Sequence, residues 1–133
     1  MDKFIDYRMK VLVVDDFATM RKIIRNCLKQ IGFEDIVEAE DGSVALQVLK
    51  NDKVGLVVTD WNMPNISGLE LLRQIRQHPK MAQVPVLMVT AEGMKENVLE
   101  AVKSGVNNYV VKPFTAEVLQ EKIEIIFKKL TGA

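Results

Sequence analysis

Residues 56–64 read LVVTDWNMP, and the uninterrupted run of Leu56, Val57, Val58 and Thr59 into Asp60 decides how the rest of the chain is read. A strand with one wet face alternates polar and apolar side chains, whereas a strand covered on both faces does not. With Gly55 in front, GLVVT (55–59) therefore reads as a buried strand of a parallel sheet. VLVV (11–14), VPVLMVT (84–90) and YVVK (109–112) repeat the continuous pattern, and DIVEAE (35–40) mixes polar with apolar positions as an edge strand would. Asp60 itself has no neighbouring histidine, cysteine or base, so its purpose must come from other segments.

Helical patterns fill the gaps between these runs. Met20, Ile23, Ile24, Cys27, Leu28 and Ile31 keep helical spacing over residues 17–31, and Leu119, Ile123, Ile126 and Leu130 keep it over 115–130. Gly32 and Gly105 stand where a left-handed helix terminator is wanted, and Ser67 with Glu70 forms a capping box that starts the helix after Asp60. The count is five strands and five helices. Alternating strand and helix gives right-handed crossovers and a doubly wound α/β fold, whose ligands bind beyond the carboxyl ends of the strands. By that rule Asp15 and Asp16 close strand one, Asp60 strand three, Thr90 strand four and Lys112 strand five, and all five can converge.

The bulk composition narrows the function. At 133 residues the chain is one ordinary domain, long enough to bury roughly two-thirds of its unfolded surface without metal or disulfide staples. Cys27, the only cysteine, falls in step with the core positions of its helix and reads as packing. Eighteen basic and eighteen acidic side chains cancel, which argues against a general nucleic-acid surface. The run Arg21, Lys22, Arg25 and Lys29 is expected to be a solvated helix face. The N-terminal MDKFIDYRMK carries acids and no long apolar stretch, so neither a signal peptide nor a membrane anchor is expected, and the protein is expected to be cytoplasmic and soluble.

Three carboxylates at one sheet rim repel each other unless a cation sits among them. Magnesium, which prefers oxygen ligands and keeps several waters, suits Asp16, Asp60 and one further oxygen, and no His or Cys cluster competes for it. About minus three from the aspartates, plus two from the metal and plus one from Lys112 leaves the site near neutral, ready to accept a phosphoryl group. Phosphoryl transfer needs positioned cations more than acid or base groups, so Asp60 is a plausible nucleophile. Lys112 precedes Pro113, whose bond to it is expected to be trans on base rates although proline permits cis.

VLVVDDFATMRKIIRNCL, TDWNMPNISGLELL, PVLMVTAE and YVVKPFTAEVL together resemble the receiver domains of two-component response regulators, in particular the single-domain chemotaxis regulators. The likeness runs from about Lys10 to Leu130, so residues 1–9 are expected to be an N-terminal extension, residues 10–130 the receiver, and no separate output domain is expected. It implies a flavodoxin-like sheet in the order 2-1-3-4-5. It further implies that Asp60 is phosphorylated from a sensor histidine kinase (CheA-like). Asp16, Asp60 and the carbonyl of Asn62 would hold magnesium, and Asp15 would act through bound water. Lys112 would pair with the phosphoryl group, Thr90 would hydrogen-bond it, and Asn62 and Glu92 would tune its loss.

The same resemblance implies that Tyr109 turns inward as Thr90 moves, changing a face that includes Lys95 and Lys122 and that receives a flagellar switch protein (FliM-like). Met94 stands where well-known members carry a second lysine, which weakens attraction for an acidic partner. A phosphatase (CheZ-like) is a further possible partner, and the protein is expected to act as a monomer rather than as an enzyme on a separate substrate, promoting its own magnesium-dependent phosphorylation and dephosphorylation. The rival within the family is a phosphorelay shuttle. Outside it, an aspartyl phosphatase wants Asp-x-Asp where Phe17 stands, and a flavin carrier wants a Ser/Thr/Gly-rich loop where VVDDF would repel phosphate.

Overall fold

A computed structural model describes residues 4–91 and 95–132, without the side chains of Lys95 and Glu96. Strands and helices alternate throughout: β1 (Lys10–Val14), α1 (Ala18–Ile31), β2 (Asp35–Ala39), α2 (Gly42–Asn51), β3 (Leu56–Asp60), α3 (Gly68–Gln77), β4 (Val86–Thr90), α4 (Lys95–Lys103), β5 (Asn108–Val111) and α5 (Ala116–Thr131). All strands are parallel, in the order β2-β1-β3-β4-β5. This is the flavodoxin-like α/β sheet with five helices that the resemblance implied. No described helix is long and apolar enough to cross a membrane.

The continuous runs pack as their pattern requires. Every residue of β3 and β4 is buried, and β1 is buried from Val11 onward, because successive side chains enter opposite layers. Val11, Val13, Val58, Leu87, Val89 and Val110 meet α1 and α5, through Ile24, Leu28, Leu119, Ile123 and Ile126. On the other face Leu12, Val14, Val57, Val86 and Met88 meet Ala45, Leu49, Leu71, Leu72 and Ile75 of α2 and α3. Each such aliphatic side chain contributes roughly 1.5–3 kcal/mol of burial free energy.

Several positions depart from the sequence pattern. YVVK repeats the pattern of the doubly covered strands, yet β5 is the second edge of the sheet and Val111 is 38% exposed, because no described strand pairs beyond it. On α5 the buried face ends with Ile126 and Phe127, and Leu130 in the last turn is 52% exposed. Ile23 on α1 is likewise exposed. The Lys112–Pro113 bond is cis, not trans: the X-Pro preference for trans is small enough for the surrounding structure to decide.

The punctuation works locally. Ser67 Oγ accepts from Glu70 N–H at 3.1 Å as the N-cap of α3, and Asp41 and Thr115 cap α2 and α5 in the same way. Gly32 and Gly105 both have positive φ. Residues of the N-terminal extension also pack on the body: Ile5 is buried, and Tyr7 rests against Phe33 with ring centroids 5.0 Å apart.

Candidate functional site

The parallel register brings the strand ends to one rim. β1 runs out at Val14 opposite Thr59, so Asp15 and Asp16 follow beside Asp60, the last residue of β3. Carboxylate oxygens of the three aspartates lie within 4.8 Å of one another. Lys112, just past β5, reaches across with Nζ 3.2 Å from Asp60 Oδ1 and 3.8 Å from Asp15 Oδ2. Its backbone is anchored to the neighbouring strand, since Lys112 N–H donates to the Thr90 carbonyl at 2.7 Å. Of the residues expected to converge, the fold brings together the side chains of Asp15, Asp16, Asp60 and Lys112, while Thr90 meets Lys112 through its backbone carbonyl.

The rim is electrostatically incomplete. Asp15 is fully buried, and that desolvation is the chief reason its carboxyl titrates above the ordinary range, with Asp60 and Asp16 adding repulsion while Phe17 N–H and Lys112 oppose the shift. Asp15 Oδ2 and Asp16 Oδ1 are buried without a hydrogen-bond partner among the described residues. Unpartnered buried carboxylate oxygens are costly in a finished interior. Here they are all-oxygen donors aimed at one point, with a single lysine opposite, so the cluster could hold a hard divalent cation.

Asp60 is held in a defined orientation. Its Oδ1 accepts from Trp61 N–H at 2.9 Å and from Lys112 Nζ, while Oδ2 has no hydrogen bond among the described residues. One oxygen is therefore fixed and the other is left for an incoming electrophile or cation. Gly68, which sequence reasoning missed, makes this geometry possible: a Cβ there would collide with the Asp60 carbonyl oxygen and approach Met88 Sδ to 2.9 Å. The signal was a glycine at the first position of a helix, where propensity alone disfavours it.

Other predicted residues lie farther out. Asn62 is exposed on the loop that follows β3, and Glu92 and Met94 lie outside the described residues. Thr90 is buried at the end of β4 and, with Trp61, Met88, Asn97, Val98, Ala101 and Tyr109, borders a cavity of about 10 Å³, too small for another side chain. Tyr109 is half-buried on β5, with Lys122 Nζ of α5 lying 5.6 Å from its ring centroid, a cation–π contact at the edge of the sheet. Lys95 begins α4.

The basic run of α1 is not uniformly solvated, contrary to expectation. Lys22 and Lys29 are exposed, but Arg21 is 17% exposed and pairs with Glu38 of β2, which also takes Arg25. Cys27 packs beside the core, and burial raises its thiol pKa, as a structural cysteine requires.

Known proteins resemble this chain in sequence and in shape. The family described as Response regulator receiver domain matches residues 11–124. Chemotaxis protein CheY of Pseudomonas aeruginosa is 52% identical over 124 residues, covering 93% of this chain and all of that protein. Chemotaxis protein CheY-3 of Vibrio cholerae is 48% identical over 130 residues, covering 98% of this chain and all of the relative. Among solved structures, Vibrio cholerae CheY4 crystallised at low pH superposes with a TM-score of 0.84 at 29% identity, over 90% of this chain and 98% of that one.

Proposed function

We propose, because this chain belongs to the response regulator receiver family, that Asp60 accepts a phosphoryl group from a histidine kinase and that the phosphorylated protein relays a chemotaxis signal to the flagellar motor switch. The observation that carries the reading is the rim itself: Lys112 Nζ 3.2 Å from Asp60 Oδ1, beside two buried carboxylate oxygens that have no hydrogen-bond partner among the described residues. Magnesium, held by Asp16, Asp60 and the Asn62 carbonyl with Asp15 acting through bound water, would supply charge neutralisation to the phosphoryl oxygens.

The chain's own groups would do the rest. Asp60 Oδ2 attacks phosphorus, and an O–P bond forms as the P–N bond of the donor phosphohistidine breaks, its electron pair staying on the imidazole nitrogen. Lys112, freed from Asp60 Oδ1, follows the phosphoryl oxygens, since esterification replaces a carboxylate charge by about two phosphoryl charges. Thr90 donates its hydroxyl to one of them. Asn62 and Glu92 set how fast the group is lost. On this reading the protein promotes its own phosphorylation and dephosphorylation and acts on no separate substrate.

Output is assigned to α4, β5 and α5. Leu99 and Val102, Val111, and Val118 and Ile125 of these elements are exposed apolar side chains, a surface suited to protein contact. Tyr109 and Thr90 share one small cavity, so a shift of Thr90 toward the phosphoryl group would change the packing of Tyr109 and reshape a face carrying Lys95 and Lys122. The partners are a CheA-like kinase, a FliM-like switch protein and, for dephosphorylation, a CheZ-like phosphatase, all met by a monomer in the cytoplasm.

Incubation with acetyl phosphate, followed by intact-mass measurement, is expected to add one phosphoryl group only when magnesium is present, and Asp60→Asn is expected to abolish the gain. Labelling that survives that substitution would place the chemistry elsewhere. A FliM N-terminal peptide is expected to bind more tightly in the presence of beryllofluoride; equal binding with and without it would favour a phosphorelay shuttle.

A further inference from the structure

The turn that carries Asp15 and Asp16 lacks the usual device for starting a helix. The N-cap of α1 is Phe17, which offers no side-chain oxygen to the first-turn amides. Adjacent carboxylates also repel, so a compact turn here has to be held by other contacts. Asp15 Oδ1 accepts from Phe17 N–H at 2.9 Å, and Arg21 Nη1, from the first turn of α1, donates to the Asp15 carbonyl at 2.7 Å.

Arg21 is itself aimed. Its Nε donates to Glu38 Oε1 at 3.1 Å, while Glu38 Oε2 accepts from Arg25 Nη1 at 3.1 Å, and the same Arg25 nitrogen reaches the Ile36 carbonyl at 3.4 Å. Asp15 N–H meanwhile donates to the Ala39 carbonyl at 3.2 Å. Strand β2 therefore grips Asp15 twice, directly through its own backbone and indirectly through Glu38 and Arg21. Only the second grip depends on side chains.

We infer that Arg21, oriented by Glu38, is a positioning residue for the acidic pair: it fixes the backbone of the β1–α1 turn so that Asp15 and Asp16 face Asp60 closely enough to share a magnesium ion. The inference rests on the reading of the rim as a magnesium site. Arg21 forms its hydrogen bonds with the Asp15 carbonyl and with Glu38, which it shares with Arg25, and none with the three rim carboxylates. Its contribution is geometric, in the way that outer residues hold metal ligands in place.

Magnesium titration without any phosphodonor, followed by Trp61 fluorescence and by calorimetry, tests this in Arg21→Gln, Arg21→Lys and the charge-balanced double variant Arg21→Gln/Glu38→Gln. Positioning predicts that the magnesium Kd rises about tenfold in Arg21→Gln and stays raised in the double variant. Arg21→Lys, the variant safest for folding, is expected to weaken binding about threefold, since one ammonium cannot span both acceptors as the planar fork does. A pure charge effect predicts instead tighter binding in Arg21→Gln and no change in the other two.

That charge pattern, or a Kd within about twofold of the unaltered protein in every variant, overturns the inference. Ile5→Ala, which loosens the fold at the opposite end of the sheet, is expected to leave the Kd unchanged; weakening there as large as in Arg21→Gln would reduce Arg21 to general stability and overturn it too. Uptake by the unaltered protein with indifferent variants defeats only the positioning role. No uptake at all defeats the rim reading and this inference with it.

Discussion

The two ends of the sheet are built to opposite standards. At the amino ends of β4 and β5 Arg76 makes four side-chain bonds, to the carbonyls of Gly105, Ala82 and Val84 at 3.0, 3.1 and 2.6 Å and to Asn107 Oδ1 at 2.8 Å. Asn107 Oδ1 in turn accepts from Val86 N–H. At the carboxyl ends, three aspartates crowd one lysine and leave two buried oxygens without a hydrogen bond among the described residues. Where a fold completes its own polar bonding, the residues serve stability. Where it leaves like charges facing each other, the residues mark a candidate functional site.

The contrast can be broken most sharply at Lys112. Lys112→Met is expected to slow phosphorylation of Asp60 by acetyl phosphate by about 100- to 1000-fold, read from intact-mass time courses, because a lost cation at developing charge costs roughly 3–4 kcal/mol. Next, Arg76→Ala is expected to lower stability by about 3 kcal/mol in urea unfolding, by leaving several acceptors without a donor, while the phosphorylation rate of the folded protein stays the same. A slowed rate in that variant would erase the division of labour between the two ends.

Ile5→Ala sharpens the same division with a smaller effect. A cavity under the amino end is expected to cost about 2 kcal/mol, near the lower bound for such truncations because the site lies at the periphery. Asp15→Asn should act with the opposite sign. Burial holds the Asp15 carboxyl above its ordinary pKa, so the folded state binds that proton more tightly than the unfolded chain. Stability is then lost as pH rises from the ordinary carboxylate range through the raised value, and the cost is fully present above it. Removing the charge is expected to stabilise the metal-free protein by on the order of 1 kcal/mol at neutral pH and to remove most of the stabilisation that magnesium gives the unaltered protein, both read from urea midpoints.

Some residues were legible because their signal is local. The hydrophobic runs marked β1, β3 and β4, and the first polar residue after each run marked the rim, so Asp15, Asp16, Asp60 and Thr90 could be named before any fold was known. Lys112 followed from the same rule at β5. Arg21, Arg76 and Gly68 were not legible. Arg21 meets Glu38 across 17 residues and Arg76 meets Asn107 across 31, and a basic side chain on a helix gives no local sign of whether it is paired or solvated. Gly68 matters only because α3 starts against the backbone of Asp60.

The sequence by itself determined the alternation of elements, the covered faces of the central strands and the chemical character of one rim, because apolar periodicity and strand-end residues are properties of short segments. The tertiary structure alone decided which oxygen of Asp60 is tied, which carboxylate oxygens are left without hydrogen bonds, that Val111 of β5 is partly exposed and that the Lys112–Pro113 bond is cis. Those outcomes depend on distances between segments far apart in the chain, and such distances are set by packing rather than by any residue's own preference.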